Sequence, residues 1–469
     1  MRLKLLRNPL FDISPLTRKR YGPVYRVSLG FWQFKVASFG DVISSVLAAS
    51  PELLRNDITH RETFYVVAGA RASFSRLHKV MIRELFPLVD KALSPRPLGQ
   101  TTHAFGRILL SQINNFIREH TGPISLVEFT NQPLYNATNL ILLGSAFPSD
   151  TYRDFRTVSQ SIPYRFTRTL LWAWPSHAAR ARLLNTLKGY LQRGEVIGCD
   201  DRFSLGFMET FKDNNIQSWE GAQLVLNFLW GVHNNTLSNS LFLLSFLLGD
   251  PSALARVRAE IDSAVEKFGS LETLLEAGPD QLDDPSFQLL TSAIMETLRF
   301  TVLHAGIRQA NCDFELRVKD RVIPIKKGEY VFGNVHAAHM DATVYPKPET
   351  FVVDRFAQRP YQRRHLQTGG YPFHSFGGGR HIVSTFLAFR PLRGAHDHAV
   401  QGKMACNIRD QGSHDHITLL VRLSSCREGY CVLVPASSTS TQHRRCTYRR
   451  RHLCEVDSAS GGRTLKGGI

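Results

Sequence analysis

The run Phe376-Gly377-Gly378-Gly379-Arg380-His381-Ile382-Val383 is the chemically most informative part of the chain. Glycines behind an aromatic let backbone amides approach a large flat cofactor, because no Cβ stands in the way. Further upstream, a long apolar stretch running to Leu248 is interrupted by His233-Asn234-Asn235-Thr236. Polar side chains inside such a helix either bond the carbonyl one turn back or face something that needs them. Glu296-Thr297-Leu298-Arg299 sets opposite charges three residues apart, and a second arginine follows in Asp354-Arg355-Phe356. On a solvated helix an i,i+3 pair contributes only ~0.2–0.5 kcal/mol. A carboxylate shared between two arginines in a dry interior would be a different object, costly to break from one side.

Taken in order, these pieces resemble the cytochromes P450. The glycine run is similar to that family's haem-binding loop, Phe-Gly-x-Gly-x-x-x-Cys-Pro-Gly, at Phe376, Gly377, Gly379 and His381. Val383 occupies the cysteine position, and Ser384-Thr385 replace Pro-Gly. Valine has no lone pair to give a metal, so the chain as written has no metal ligand there. Glu296 and Arg299 match the family's Glu-x-x-Arg. Pro348-Glu349-Thr350-Phe351 and Arg355-Phe356 match its Pro-x-x-Phe…Arg-Phe segment, about twenty residues before the loop. The resemblance implies one structural ion network of Glu296, Arg299 and Arg355, and haem as the cofactor.

Trp230-Gly231 followed by Asn235-Thr236 is similar to the Trp-Ala-x-x-x-Asn-Thr form of the branch with sterol 7α- and 12α-hydroxylases and prostacyclin synthase. That branch implies Asn235 and Thr236 as catalytic residues on the oxygen side of haem, with Arg308 and His381 directed at the propionates. His339-Met340-Asp341 and Tyr345-Pro346 fit the same branch. The Trp-x-x-x-Arg that most of the family uses for a propionate is absent, since no tryptophan lies between Trp32 and Trp172.

The elements that must position these groups are mainly helical. Val24–Leu29 and Phe34–Ala37 alternate like paired strands. Asp41 caps a helix over 41–47, Leu16–Arg20 reads as a short helical piece, and helical spacing recurs from about 75 to 300, as at 80–85 and 253–261. The fold class expected is mainly α with a small β domain, a P450 fold up to about residue 382. The two segments are 1–382, P450-like from about residue 8, and 383–469, an atypical, irregular or disordered basic tail. The chain has 469 residues, 43% of them hydrophobic, and a formal net charge of +17. Thirteen Lys and Arg against six Asp and Glu, and five of the seven cysteines, fall in the tail. The cysteines lack paired Cys-x-x-Cys spacing, which excludes a zinc site, and the basic run reads as solvated, so no nucleic acid is expected as a partner.

The resemblance implies a haem-dependent monooxygenase oxidising a lipophilic small molecule, in secondary metabolism or in sterol and lipid oxidation. Its partner would be NADPH-cytochrome P450 reductase, at the cytosolic face of the endoplasmic reticulum membrane. No anchor is visible, and polar residues at the middle of 224–248 suit a helix buried in protein. The alternative is a non-catalytic or truncated P450-like protein without thiolate-ligated haem. Val383-Ser384 is also what an in-frame GTGAGT or GTAAGT encodes, hexamers typical of intron starts.

Overall fold

Alternation in the first ordered segment builds an antiparallel pair, β1 (Val24–Leu29) and β2 (Trp32–Ala37), with Val24 opposite Ala37 and Leu29 opposite Trp32. The computed structural model describes residues 24–357 with short breaks, then 373–375, Gly377, 455–459 and 462–467. Leu16–Arg20, Phe376, Gly379, His381 and Val383 lie outside the described residues.

Next come α1 (Gly40–Ala48), the short β3 (Leu54–Arg55), α2 (Asp57–Ala68), α3 (Phe74–Val80) and α4 (Phe86–Ala92). The helical run expected over 80–85 divides here: α3 ends at Val80, and Met81–Leu85 form a single π-helical turn before α4. The helical body continues with α5 (Pro95–Glu119), α6 (Leu126–Leu143), α7 (Tyr152–Phe166), α8 (Leu170–Arg193), α9 (Arg202–Asp213), α10 (Ser218–Leu248), α11 (Pro251–Phe268), α12 (Leu271–Glu276) and α13 (Gln288–Thr301). The strands β4 (Ala305–Ala310), β5 (Phe314–Val318), β6 (Arg321–Ile325) and β7 (Tyr330–Asn334) follow, then α14 (Val335–His339). Within 383–469, the described residues form β8 (Glu455–Ala459) and β9 (Gly462–Gly467). The larger sheet runs β3-β4-β7-β2-β1-β9-β8, and β9 lies parallel to β1, covering an edge that would otherwise present unpaired amides. The hairpin of β5 and β6 stands apart.

Two apolar cores stand out by size among the described residues. The larger gathers α2, α3, α6, α7, α8, α9 and the first half of α10, with Leu143, Leu187, Leu226 and Trp230 fully inside. The smaller lies between α1, α13 and the sheet, around Ile43, Leu54, Val335 and Tyr345. Helix ends are fixed locally. Asp250 accepts the Ala253 amide at 3.0 Å with Pro251 opening α11, the pattern of a capped start. Glu260 of α11 then caps α13 across space, accepting the Leu289 and Leu290 amides at 2.6 and 2.7 Å. Among the described residues no single helix is long and apolar enough to cross a membrane. The pair α10 and α11, bent by 111°, passes that test together.

Candidate functional site

The helix α13 places Glu296 and Arg299 on one face, fully buried. Arg299 donates from Nε to Glu296 Oε2 and from Nη2 to Oε1, both at 2.8 Å. Arg355 reaches the same carboxylate from the far side, with Nε 2.9 Å from both oxygens. The Val352 amide gives a further bond at 3.1 Å. The guanidiniums spend their remaining hydrogens on backbone. Arg299 takes the carbonyls of His339 and Pro348 at 2.8 and 2.9 Å. Arg355 takes those of Pro346 and Thr350 at 2.7 and 3.1 Å. One carboxylate and two cations thus clamp the 339–355 segment onto α13.

Beyond that clamp lies a second one, which the sequence marked only in part. His339 Nδ1 is 3.1 Å from the carbonyl of Arg299, and its Nε2 is 3.0 Å from the amide of His374. A carbonyl only accepts and an amide only donates, so Nδ1 carries the hydrogen and the ring is neutral. The ring of His339 also stacks on Phe373, with centroids 5.2 Å apart. His374 continues the chain of contacts. Ser44 of α1 gives its hydrogen to the Gly40 carbonyl at 2.7 Å, so its oxygen is left to accept from His374 Nε2 at 3.2 Å. Burial holds the pKa of His374 below the ordinary imidazole value, partly offset by bonds to the backbone of Gly40 and Gly377. Gly377 donates to the His374 carbonyl at 3.0 Å with φ of 83°, a left-handed backbone that glycine adopts freely. The entry to the glycine run is therefore tied to α1 and α13 together. Only His339-Met340-Asp341 gave a sequence signal for this; His374 gave none.

On α10 the polar residues behave differently. Thr236 donates to the Val232 carbonyl at 2.9 Å, and Asn235 Nδ2 donates to Gly231 O at 3.1 Å. Asn239 bonds the Asn235 carbonyl at 2.9 Å and accepts from Thr301 of α13 at 3.1 Å. Leu229, Trp230, His233 and Leu237 are buried, yet Thr236 among them is exposed. A Cβ placed on Gly231 would meet nothing within 4 Å. The helix has open space beside it at Gly231, and the Thr236 side chain is accessible one turn on. Arg308 lies in β4, buried, with Nη1 3.1 Å from the Ile307 carbonyl.

Residues 201–382 match the family model "Cytochrome P450". Among solved structures, the cytochrome P450 CYP102L1 superposes with a TM-score of 0.58 at 17% identity, covering 80% of this chain and 84% of that one. This is a cytochrome P450 fold. A second solved P450, P450BioI in complex with hexadec-9Z-enoic acid ligated acyl carrier protein, gives 0.54 at 16% identity, covering 80% and 87%. Cytochrome P450 7A1 of Sus scrofa is 29% identical over 184 residues, 38% of this chain and 36% of that protein. Prostacyclin synthase of Rattus norvegicus is 25% identical over 249 residues, 49% of each. The P450 segment resembles the sterol 7α-hydroxylase branch, and the chain spans about a third to a half of the length of these relatives.

Haem is the P450 cofactor, and the donor set decides whether these residues fit it. The space beside Gly231 and the accessible Thr236 suit a flat ligand against α10. On the expectation from the motif, Val383 would stand where the P450 loop has its thiolate, and valine has no lone pair to give iron. Among the described residues no group of three or more His, Cys, Asp or Glu could hold a metal, and the one described cysteine, Cys312, is exposed beyond β4.

Proposed function

We propose that this fold is the scaffold of a P450 monooxygenase that oxidises a lipophilic small molecule, and that the chain carrying Val383 is its non-catalytic form. The observation that carries the reading is the buried Glu296–Arg299–Arg355 clamp, which ties α13 to the segment leading toward the glycine run. An ionic group so fully satisfied is costly to assemble, and here it fixes the approach to a loop that, by its sequence, would hold haem. The substrate class follows from the apolar core around α10 and from relatives such as the cholesterol 7-alpha-monooxygenase of Cricetulus griseus, 28% identical over 189 residues. In this reading Asn235 and Thr236 are the polar edge of the substrate cavity. NADPH-cytochrome P450 reductase supplies electrons at the cytosolic face of the endoplasmic reticulum membrane. The tail from 383 onward replaces the cysteine loop through retention of an intron after codon 382.

Two materials test both halves: this chain, and the product of a message in which Cys-Pro-Gly follows Ile382. Each is reduced under carbon monoxide and its Soret band recorded. The expected result is a thiolate-type band from the second and none from the first. Such a band from the chain with Val383 overturns the non-catalytic reading. A transcript population that reads continuously across codons 383–385, with no spliced message, removes the monooxygenase.

A further inference from the structure

The hairpin of α7 and α8 treats its arginines in two ways. Arg182 of α8 is paired with Asp154 of α7, Nε to Oδ2 at 2.8 Å and Nη2 to Oδ1 at 2.5 Å. Arg156 of α7 is paired with Glu128 at 3.3 Å. At the other end of the hairpin, Arg165 and Arg180 have no carboxylate within ion-pair distance among the described residues. Arg165 donates from Nε to Ser161 Oγ at 3.1 Å and from Nε and Nη2 to Ser176 Oγ at 3.2 and 2.5 Å. Both serines are buried. Arg180 reaches only the Val66 carbonyl near the end of α2, at 3.4 Å from Nη1. Its guanidinium lies over Gly69, 3.1 Å from where a Cβ would stand. The Nε and Nη2 edge of Arg180, and Nη1 of Arg165, have no acceptor among the described residues.

At this junction burial outweighs the Tyr65 phenol, which alone favours the two guanidinium charges. Burial, then the charge of Arg180, lowers the pKa of Arg165 to about 10. Burial lowers Arg180 as well. The neighbouring His177 is lowered by burial and by both guanidiniums, which disfavours a third positive charge there. Two half-buried cations that repel each other are unfavourable in a medium less polar than water. A planar guanidinium edge without a protein acceptor is the group that binds oxyanions through paired hydrogen bonds. We propose that Arg165 and Arg180 form an oxyanion site at the junction of α2, α7 and α8, which takes a phosphate, sulfate or carboxylate group. Ser176, held between α7 and α8, orients the Arg165 fork. The anion is either free in solution or the head group of an amphiphilic molecule.

The full chain is titrated at constant ionic strength, set with chloride, first with inorganic phosphate and then with octyl phosphate, following the thermal unfolding midpoint. A saturable rise is expected in the wild type, weakened at least fivefold in Arg165→Gln and in Arg180→Gln. Arg182→Gln, outside the site, keeps the wild-type response. Without ligand, the Arg165→Gln and Arg180→Gln proteins unfold no earlier than the wild type, because repulsion is relieved, so a loss of response is not a loss of folding. A response to both probes identifies a free oxyanion, and a response to octyl phosphate alone identifies a head group. No saturable response to either probe, or the same response in both variants, overturns the site. The measurement needs no haem, so its failure is separate from that of the P450 reading.

Discussion

Two polar regions of this molecule sit on neighbouring helices and are built on opposite plans. On α13, Glu296 and Arg299 are charged and fully buried; Arg355 meets the same carboxylate from the 339–355 segment, and both guanidiniums bond carbonyls of that segment. On α10, Asn235 and Thr236 are neutral, and each bonds a carbonyl one turn back on its own helix. The first region is bonded to itself and to the backbone that it holds in place. The second has satisfied itself at little cost and can release that bond, because a hydroxyl bonded to its own turn also accepts from another donor. Charge has been placed where structure is fixed, and weak polarity where the helix meets open space.

The largest effect expected is on the closed region. Glu296→Ala leaves two buried guanidiniums without their carboxylate and should cost about 3–5 kcal/mol, the range for breaking a buried pair from one side. Urea unfolding measures it, and an unchanged midpoint would mean that the clamp does not hold the fold. His339→Ala comes next, at about 1–3 kcal/mol for an amide left unsatisfied. Amide exchange at His374 and Gly377 should accelerate while that at Leu289 and Leu290, capped by Glu260, stays slow; uniform acceleration would show that His339 is general packing.

A titratable group inside the larger core gives a third test. His233 of α10 donates from Nε2 to Asn139 Oδ1 at 2.9 Å, packs against the tilted ring of Tyr135, and is pushed down by burial to about 3 from 6.5. Between those values the unfolded chain binds a proton that the folded protein does not. Stability is therefore whole above pH 6.5 and falls as the pH drops toward 3. The slope has a ceiling of about 1.4 kcal/mol per pH unit. The midpoint of His233→Phe should be less sensitive to pH over that window, and equal sensitivity would exclude His233 as the source. The smallest effect belongs to the open region. Thr236→Val should change stability by no more than about 0.5 kcal/mol, as for exposed sites, and a loss of several times that in urea unfolding would show Thr236 to be part of a closed network too.

Much of this was legible in the chain and some was not, for a definite reason. Strand alternation gave β1 fully and β2 from Phe34, two residues late, and the Asp41 signal gave α1 to within a residue at each end. Glu296, Arg299 and Arg355 could be named together because the motif order is written in side chains, and the structure brings all three to one carboxylate. Phe376, Gly379 and His381 lie outside the described residues, so their place stays an expectation from the motif. The single turn of π-helix at 81–85 carried no signal, since the apolar spacing there also suits a continuous α-helix.

Sequence by itself determined which residues carry charge, which segments alternate with a period of two or of three to four, and that position 383 offers no lone pair. Tertiary structure decided what those residues touch. The partners of Arg299 and Arg355 are carbonyls of His339, Pro346, Pro348 and Thr350, and that of Arg180 is the carbonyl of Val66. Every residue has the same carbonyl, so no letter in the chain marks it as an acceptor. Only the path of the backbone can bring it within 3 Å or so of a buried cation, or leave a cation, as at Arg165, with no carboxylate paired to it among the described residues.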